Sequence, residues 1–133
     1  MVLSTLNEPY RPSTPEGTLA DLRHAEKVAR VSKQLRGRSS TEPLSRKKRV
    51  VSHQVPKVND KKYSDEKVDL KAFDEVIEVD VERRLCIAEP GAPFCKVVDA
   101  TLPHGLVPIV VPELKTITIG GAVAGCSIES MSF

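Results

Sequence analysis

Tryptophan is absent from this 133-residue chain, and two Tyr and three Phe supply all its aromatic area. So few rings, none of them interleaved with the basic runs, leave no stacking platform for single-stranded nucleic acid. Cysteine is also scarce: Cys86, Cys95 and Cys126 stand nine and thirty-one residues apart, with no CxxC pair. That spacing gives neither a disulfide framework nor a zinc signature, and His24, His53 and His104 are equally scattered. No metal is expected. Long apolar runs are missing too. The longest uncharged stretches, 100–112 and 116–128, hold thirteen residues each, short of the roughly 20 needed to cross a bilayer. Glu8, Arg11, Glu16 and Asp21 interrupt the start too early for a signal-peptide core. A cytoplasmic location is therefore expected, in a chain long enough for one domain.

What is present is divided along the chain. Residues 1–72 hold 16 Lys/Arg against 9 Asp/Glu, whereas residues 73–133 hold 4 against 9. Such asymmetry suits a basic arm for an acidic partner or nucleic acid, or a polar leader joined to a compact domain. The apolar content follows the same divide, with most clustered Val, Ile and Leu after Phe73. That favours the leader.

Residues 1–17, rich in Pro, Ser, Thr and Glu, read as a flexible tail. Thr18 with Asp21 three residues on then forms a capping-box start, and Gly37 is placed to stop a helix. Leu22, Ala25, Val28 and Leu35 mark its apolar stripe, leaving Arg23, Glu26, Lys27, Arg30 and Lys33 as a solvated charged face. Residues 38–72 are polar. Within them, Arg46-Lys47-Lys48-Arg49 resembles a phosphate-binding patch, or the charged lead-in to a protected edge strand.

From Phe73 the pattern is regular. Ile77, Val79 and Val81 alternate with Glu78, Asp80 and Glu82, the period of a half-buried strand. Arg83-Arg84 turns the chain into Leu85-Cys86-Ile87-Ala88, which predicts a hairpin ended by Pro90-Gly91. Pro93 suits the first turn of a short helix in which Phe94, Val97, Val98 and Leu102 share a face. His104, just before Gly105, is expected to cap it. Residues 106–111 read as a third strand, so the order is β-β-α-β and the class α+β.

Lys115-Thr116-Ile117-Thr118-Ile119 leads into Gly120-Gly121-Ala122-Val123-Ala124-Gly125-Cys126-Ser127. A β-branched run before a small-residue loop is what a phosphate cradle requires, because backbone amides without Cβ atoms can approach pyrophosphate oxygens. The spacing imitates a Walker A loop, but Cys126 occupies the lysine position, which leaves the nucleoside-triphosphatase reading little support. A Rossmann pattern would place its second Gly at Ala122 and lacks its acidic ribose ligand. A small-residue turn packed closely against a helix remains the third reading.

The block from Pro112-Glu113-Leu114 through Thr118-Ile119-Gly120-Gly121 and Gly125, then Ile128-Glu129-Ser130, resembles the flavin-diphosphate segment of FAD-linked oxidases. These form the p-cresol methylhydroxylase (vanillyl-alcohol oxidase) superfamily, and the nearest branch is similar to bacterial FAD-binding oxidoreductases related to sterol side-chain reductases. Val76-Ile77-Glu78-Val79-Asp80, Glu89-Pro90-Gly91 and Ala100-Thr101-Leu102-Pro103-His104-Gly105-Leu106 stand in that family's order. The resemblance spans roughly residues 45–133.

It implies a flexible tail and amphipathic helix over 1–43, then the first lobe of an FAD-binding domain over 44–133. FAD is the implied cofactor. Residues 118–130 would wrap its pyrophosphate, with Gly120, Gly121 and Gly125 as close-approach backbone and Thr118, Glu129 and Ser130 as polar contacts. Ile119 completes the run, Pro112-Glu113-Leu114 would shape the entrance, and residues 45–52 lie where the family supplies a further phosphate contact. Cys126 and Ser127 depart from the commoner pattern, in which the second is Gly. A positive φ at Ser127 would strain the loop. The family continues for hundreds of residues more, so the resemblance implies an N-terminal fragment, inactive without its complement. No catalytic residue is implied here. A non-enzymatic interaction module, using the basic helix and the Arg46–Arg49 cluster, is the alternative.

Overall fold

The computed structural model describes residues 17–47, 59–60, 63–125 and 127. The tail before Gly17, Lys48 and Arg49 of the basic cluster, and Cys126, Glu129 and Ser130 of the expected site lie outside the described residues.

Helix α1 (Leu19–Arg36) forms where the caps place it. The Thr18 side chain accepts from the Asp21 amide at 3.2 Å, and Asp21 accepts in return from the Thr18 amide at 2.6 Å. Gly37 closes the C-terminus by donating to Lys33 O at 3.0 Å. The orientation of the helix reverses the expectation. No residue of α1 is buried, and Leu22, Val28 and Leu35 stay exposed. Part of the charged face docks instead, while Glu26 and Lys33 stay exposed. Arg23 Nε meets Glu75 Oε2 at 3.1 Å, Lys27 Nζ reaches Glu89 Oε2 at 3.0 Å, and His24 Nδ1 lies 2.9 Å from Glu89 Oε1. Further along, Gln34 Nε2 donates to Lys67 O at 3.3 Å. The neighbouring surface offers carboxylates and strand carbonyls, so complementary polarity decides the docking.

Two small sheets follow. Strands β1 (Leu44–Lys47) and β2 (Glu66–Asp69) pair in parallel, Leu44 opposite Glu66 and Lys47 opposite Asp69. Thus Arg46 and Lys47 belong to a strand rather than preceding one. Strands β3 (Val76–Asp80) and β4 (Leu85–Ala88) form the expected antiparallel hairpin. Arg84 takes the left-handed conformation in its turn, at φ 55°. A register shift between Val76 and Glu78 leaves Ile77 without an opposite partner. That bulge breaks the period of two, so every residue of β3 is half-buried and Val81 falls in the exposed turn.

Helix α2 (Phe94–Thr101) lies against β3 and β4 and buries Val97 and Thr101, with Pro93 as its N-cap. A 3₁₀ turn (Leu102–His104) continues it, leaving Leu102 exposed. Gly105, not His104, provides the cap, at φ 70°. The third strand does not form: residues 106–111 are irregular, and Val107, Ile109 and Val111 are exposed. Pro108 and Pro112 remove two ladder donors, and no described strand pairs with the segment. Among the described residues, the buried core comprises Val68, Phe73, Ala92 and Val97 with the polar residues Glu89, Thr101 and Thr118. Helices and two small sheets together give an α+β chain. Among the described residues, no helix is long and apolar enough to cross a membrane.

Candidate functional site

The glycine block is helical. Thr118 caps helix α3 (Ile119–Ala124), accepting from the Gly121 amide at 3.2 Å, where an open loop was expected. Small residues allow this because the helix presses its first turn onto the turn after β4. A Cβ added at Gly120 would stand 2.7 Å from Pro90 Cβ and 2.9 Å from Pro90 O. Only Gly permits that approach.

The segments 89–93 and 115–121 cap one another. Ile119 N donates to Ala92 O at 2.9 Å, and Gly120 N donates to Pro90 O at 2.8 Å. In the opposite direction, Phe94 N donates to Ile117 O at 2.9 Å and Cys95 N to Lys115 O at 3.2 Å. A bridge joins Pro93 to Thr118 between them. The first two amides of each helix, which otherwise lack partners, are thus satisfied by the segment leading into the other.

This arrangement bears on the expected cradle. The amides of Ile119, Gly120, Gly121 and Ala122 already donate to Ala92 O, Pro90 O, Thr118 Oγ1 and Thr118 O. Those of Gly125 and Ser127 donate to Gly121 O and Ala122 O. As a diphosphate cradle made of free amides, the block does not fit. As a close-approach surface it does: Gly121 and Gly125 are exposed, one helical turn apart, and carry no side chain. Ser127 is exposed beyond them. Thr118 is buried, Ile119 and Gly120 half-buried, Pro112 buried, and Glu113 and Leu114 exposed. The expected residues therefore divide into an inner, shaping set and an outer, accessible set.

Glu89 is the residue that sequence reasoning missed. It is 1% exposed and begins the turn that holds α3. Its carboxylate accepts from Lys27 Nζ at 3.1 and 3.0 Å and from the Glu75 amide at 2.8 Å, and pairs with His24 Nδ1 at 2.9 Å. Burial pushes the carboxyl pKa up, but the His24, Glu75 and Lys27 hydrogen bonds and the Lys27 charge outweigh it and hold it below the usual glutamate value. The available signal was a carboxylate between an apolar strand and Pro-Gly, with His24 and Lys27 three apart on one helix. Burial raises the Cys86 thiol pKa. Among the described residues, no group of three or more His, Cys, Asp or Glu could hold a metal.

A profile of the FAD binding domain family matches residues 22–133, from within α1 through the glycine block. The chain belongs to that family, within the FAD-linked oxidase superfamily, and its cofactor is FAD. It is 30% identical over 112 residues to the Delta(24)-sterol reductase of Arabidopsis thaliana, covering 82% of this chain and 20% of that one. A Delta(24)-sterol reductase homolog of Caenorhabditis elegans is 38% identical over 63 residues, 47% of this chain and 12% of the relative. The decaprenylphosphoryl-beta-D-ribose oxidase of Mycolicibacterium smegmatis is 34% identical over 62 residues, 47% of this chain and 13% of the relative. The chain thus spans between 12% and 20% of the length of these relatives. No solved structure gives a significant match.

Proposed function

We propose that the chain supplies the opening lobe of a p-cresol methylhydroxylase-type FAD domain in a flavin-dependent oxidoreductase. The observation that carries this reading is the family match, which includes the glycine block. FAD, when bound, supplies the hydride acceptor or donor that amino-acid side chains lack. The chain's own residues bind and orient it. In this reading Gly121 and Gly125 allow the cofactor against bare backbone, and the Ser127 hydroxyl offers a polar contact. Glu113 and Leu114 edge the approach, while Pro112, Thr118, Ile119 and Gly120 hold α3 in place from within. Cys126, Glu129 and Ser130 extend the same segment.

By their names, the relatives reduce a sterol or oxidise a lipid-linked ribose. We extend that class, a lipid carrying a redox-active alkene or alcohol, to this protein. Because the chain covers at most a fifth of these relatives, we further propose that catalysis uses protein surface beyond the residues present here. A non-enzymatic module gains no support, since the Arg23, His24 and Lys27 side chains are spent on contacts within the fold.

FAD titration followed by quenching of flavin fluorescence tests the reading. Saturable binding to the purified protein is expected, with a yellow preparation when cofactor is retained. A colourless protein that leaves flavin emission unchanged would contradict it.

A further inference from the structure

We propose that α1 is a positioning element for the flavin-facing segment, acting through the buried Glu89 carboxylate that Lys27 and His24 hold. This rests on the reading above that α3 faces FAD.

The path is short and continuous. Lys27 Nζ grips both Glu89 oxygens at 3.1 and 3.0 Å, and His24 Nδ1 adds a contact at 2.9 Å. Glu89 opens the turn whose next carbonyl, Pro90 O, receives Gly120 N at 2.8 Å. Two residues on, Ala92 O receives Ile119 N at 2.9 Å. A second route runs beside it. The His24 ring sits edge-on to Phe73, with centroids 5.9 Å apart, and Phe73 O receives Gly91 N at 2.7 Å. Two side chains of α1 therefore bear on the turn that sets the first residues of α3.

Stability alone does not call for a carboxylate at this place. Backbone bonds already shape the turn: Glu89 N to Glu75 O at 2.8 Å, and Ala92 N to Glu89 O at 2.9 Å. Burying a charge is costly, and a well-packed apolar residue commonly does as well or better. The ion pair contributes a direction: the carboxylate is satisfied in one placement of α1, and an apolar contact would tolerate several. Glu75, which Arg23 and Lys27 also touch at 3.1 and 3.4 Å, fixes the same face of the helix.

The test compares wild type, Lys27→Ala, Lys27→Arg and Arg38→Ala as full 133-residue chains, using amide hydrogen exchange and FAD titration. Arg38 pairs with Glu66 at 2.6 Å, away from the turn, and serves as the control. Lys27→Ala should speed exchange at Ile119 and Gly120 about tenfold and weaken FAD by a similar factor, within the usual span of intersite coupling. Lys27→Arg should restore both to within about threefold, and Arg38→Ala should leave both unchanged. If Lys27→Ala does not fold, His24→Ala, which keeps the lysine grip, should give the same pattern at smaller size. Exchange unchanged at Ile119 and Gly120, or accelerated equally at Val79 and Cys86 of the hairpin, overturns the proposal. Faster exchange confined to Ile119 and Gly120, in a chain whose wild type does not bind FAD, supports the positioning and overturns the flavin reading instead.

Discussion

Replacing Gly120 with alanine asks whether this glycine is kept for packing. The new methyl would lie 2.7 Å from Pro90 Cβ and 2.9 Å from Pro90 O. Neither atom is the free end of a flexible side chain, so α3 must lift away from the turn. Lifting lengthens the 2.8 Å bond from Gly120 N to Pro90 O, a loss of about 0.5–1.5 kcal/mol. Overpacking adds roughly 1–3 kcal/mol, and the better helix propensity of alanine returns about 1 kcal/mol. The net is a destabilisation of about 1–3 kcal/mol. For a domain of this size that lowers Tm by roughly 5–20 °C. Gly121→Ala is the internal comparison. Its methyl meets only the Thr118 hydroxyl, at 2.9 Å, so a cap of about 1 kcal/mol is exchanged for a similar gain in propensity. Its Tm should stay within a few degrees of wild type. Thermal unfolding by far-ultraviolet circular dichroism, without flavin, separates the two. Equal Tm values for Gly120→Ala and Gly121→Ala would refute the packing argument.

Other consequences concern the inner residues. Because the Glu89 pKa is depressed in the folded chain, its contribution is complete above the ordinary glutamate value, roughly pH 4, and is lost as pH falls through the lower folded value. Glu89→Gln should therefore flatten the acid limb of a stability-against-pH curve, and an unchanged limb would count against the ion pair. Thr118→Val removes the α3 cap and should cost about 0.5–2 kcal/mol in urea unfolding. A midpoint identical to wild type would show that the cap contributes nothing.

Local rules made much of the fold legible. Thr18, Asp21 and Gly37 state the limits of α1, and the Arg83-Arg84 turn between two apolar-rich runs states the hairpin. Placement was harder, because it depends on partners far along the chain. The outward face of α1 could not be read from its own periodicity, since Glu75 and Glu89 lie fifty or more residues away. The parallel β1–β2 pair joins two polar segments, and Val68 is its single fully buried residue. Residues 106–111 have strand composition, but Pro108 and Pro112 deny them a ladder. At the site, the glycines and their family were visible. Their state was not: whether such amides face a ligand or their own chain depends on Pro90 and Ala92, thirty residues earlier.

FAD titration of Gly121→Val beside Lys71→Ala decides whether the glycine block meets the cofactor. Valine at Gly121 puts a branched side chain on the exposed face that the cofactor is proposed to meet, whereas Lys71 is exposed in the turn after β2, outside every segment assigned to FAD. Gly121→Val, still folded, is expected to weaken FAD about a hundredfold, a loss of roughly 2.7 kcal/mol. Lys71→Ala should remain within a few fold of wild type. Unchanged affinity in folded Gly121→Val, or a loss caused by Lys71→Ala alone, would contradict the assignment of this segment to the flavin.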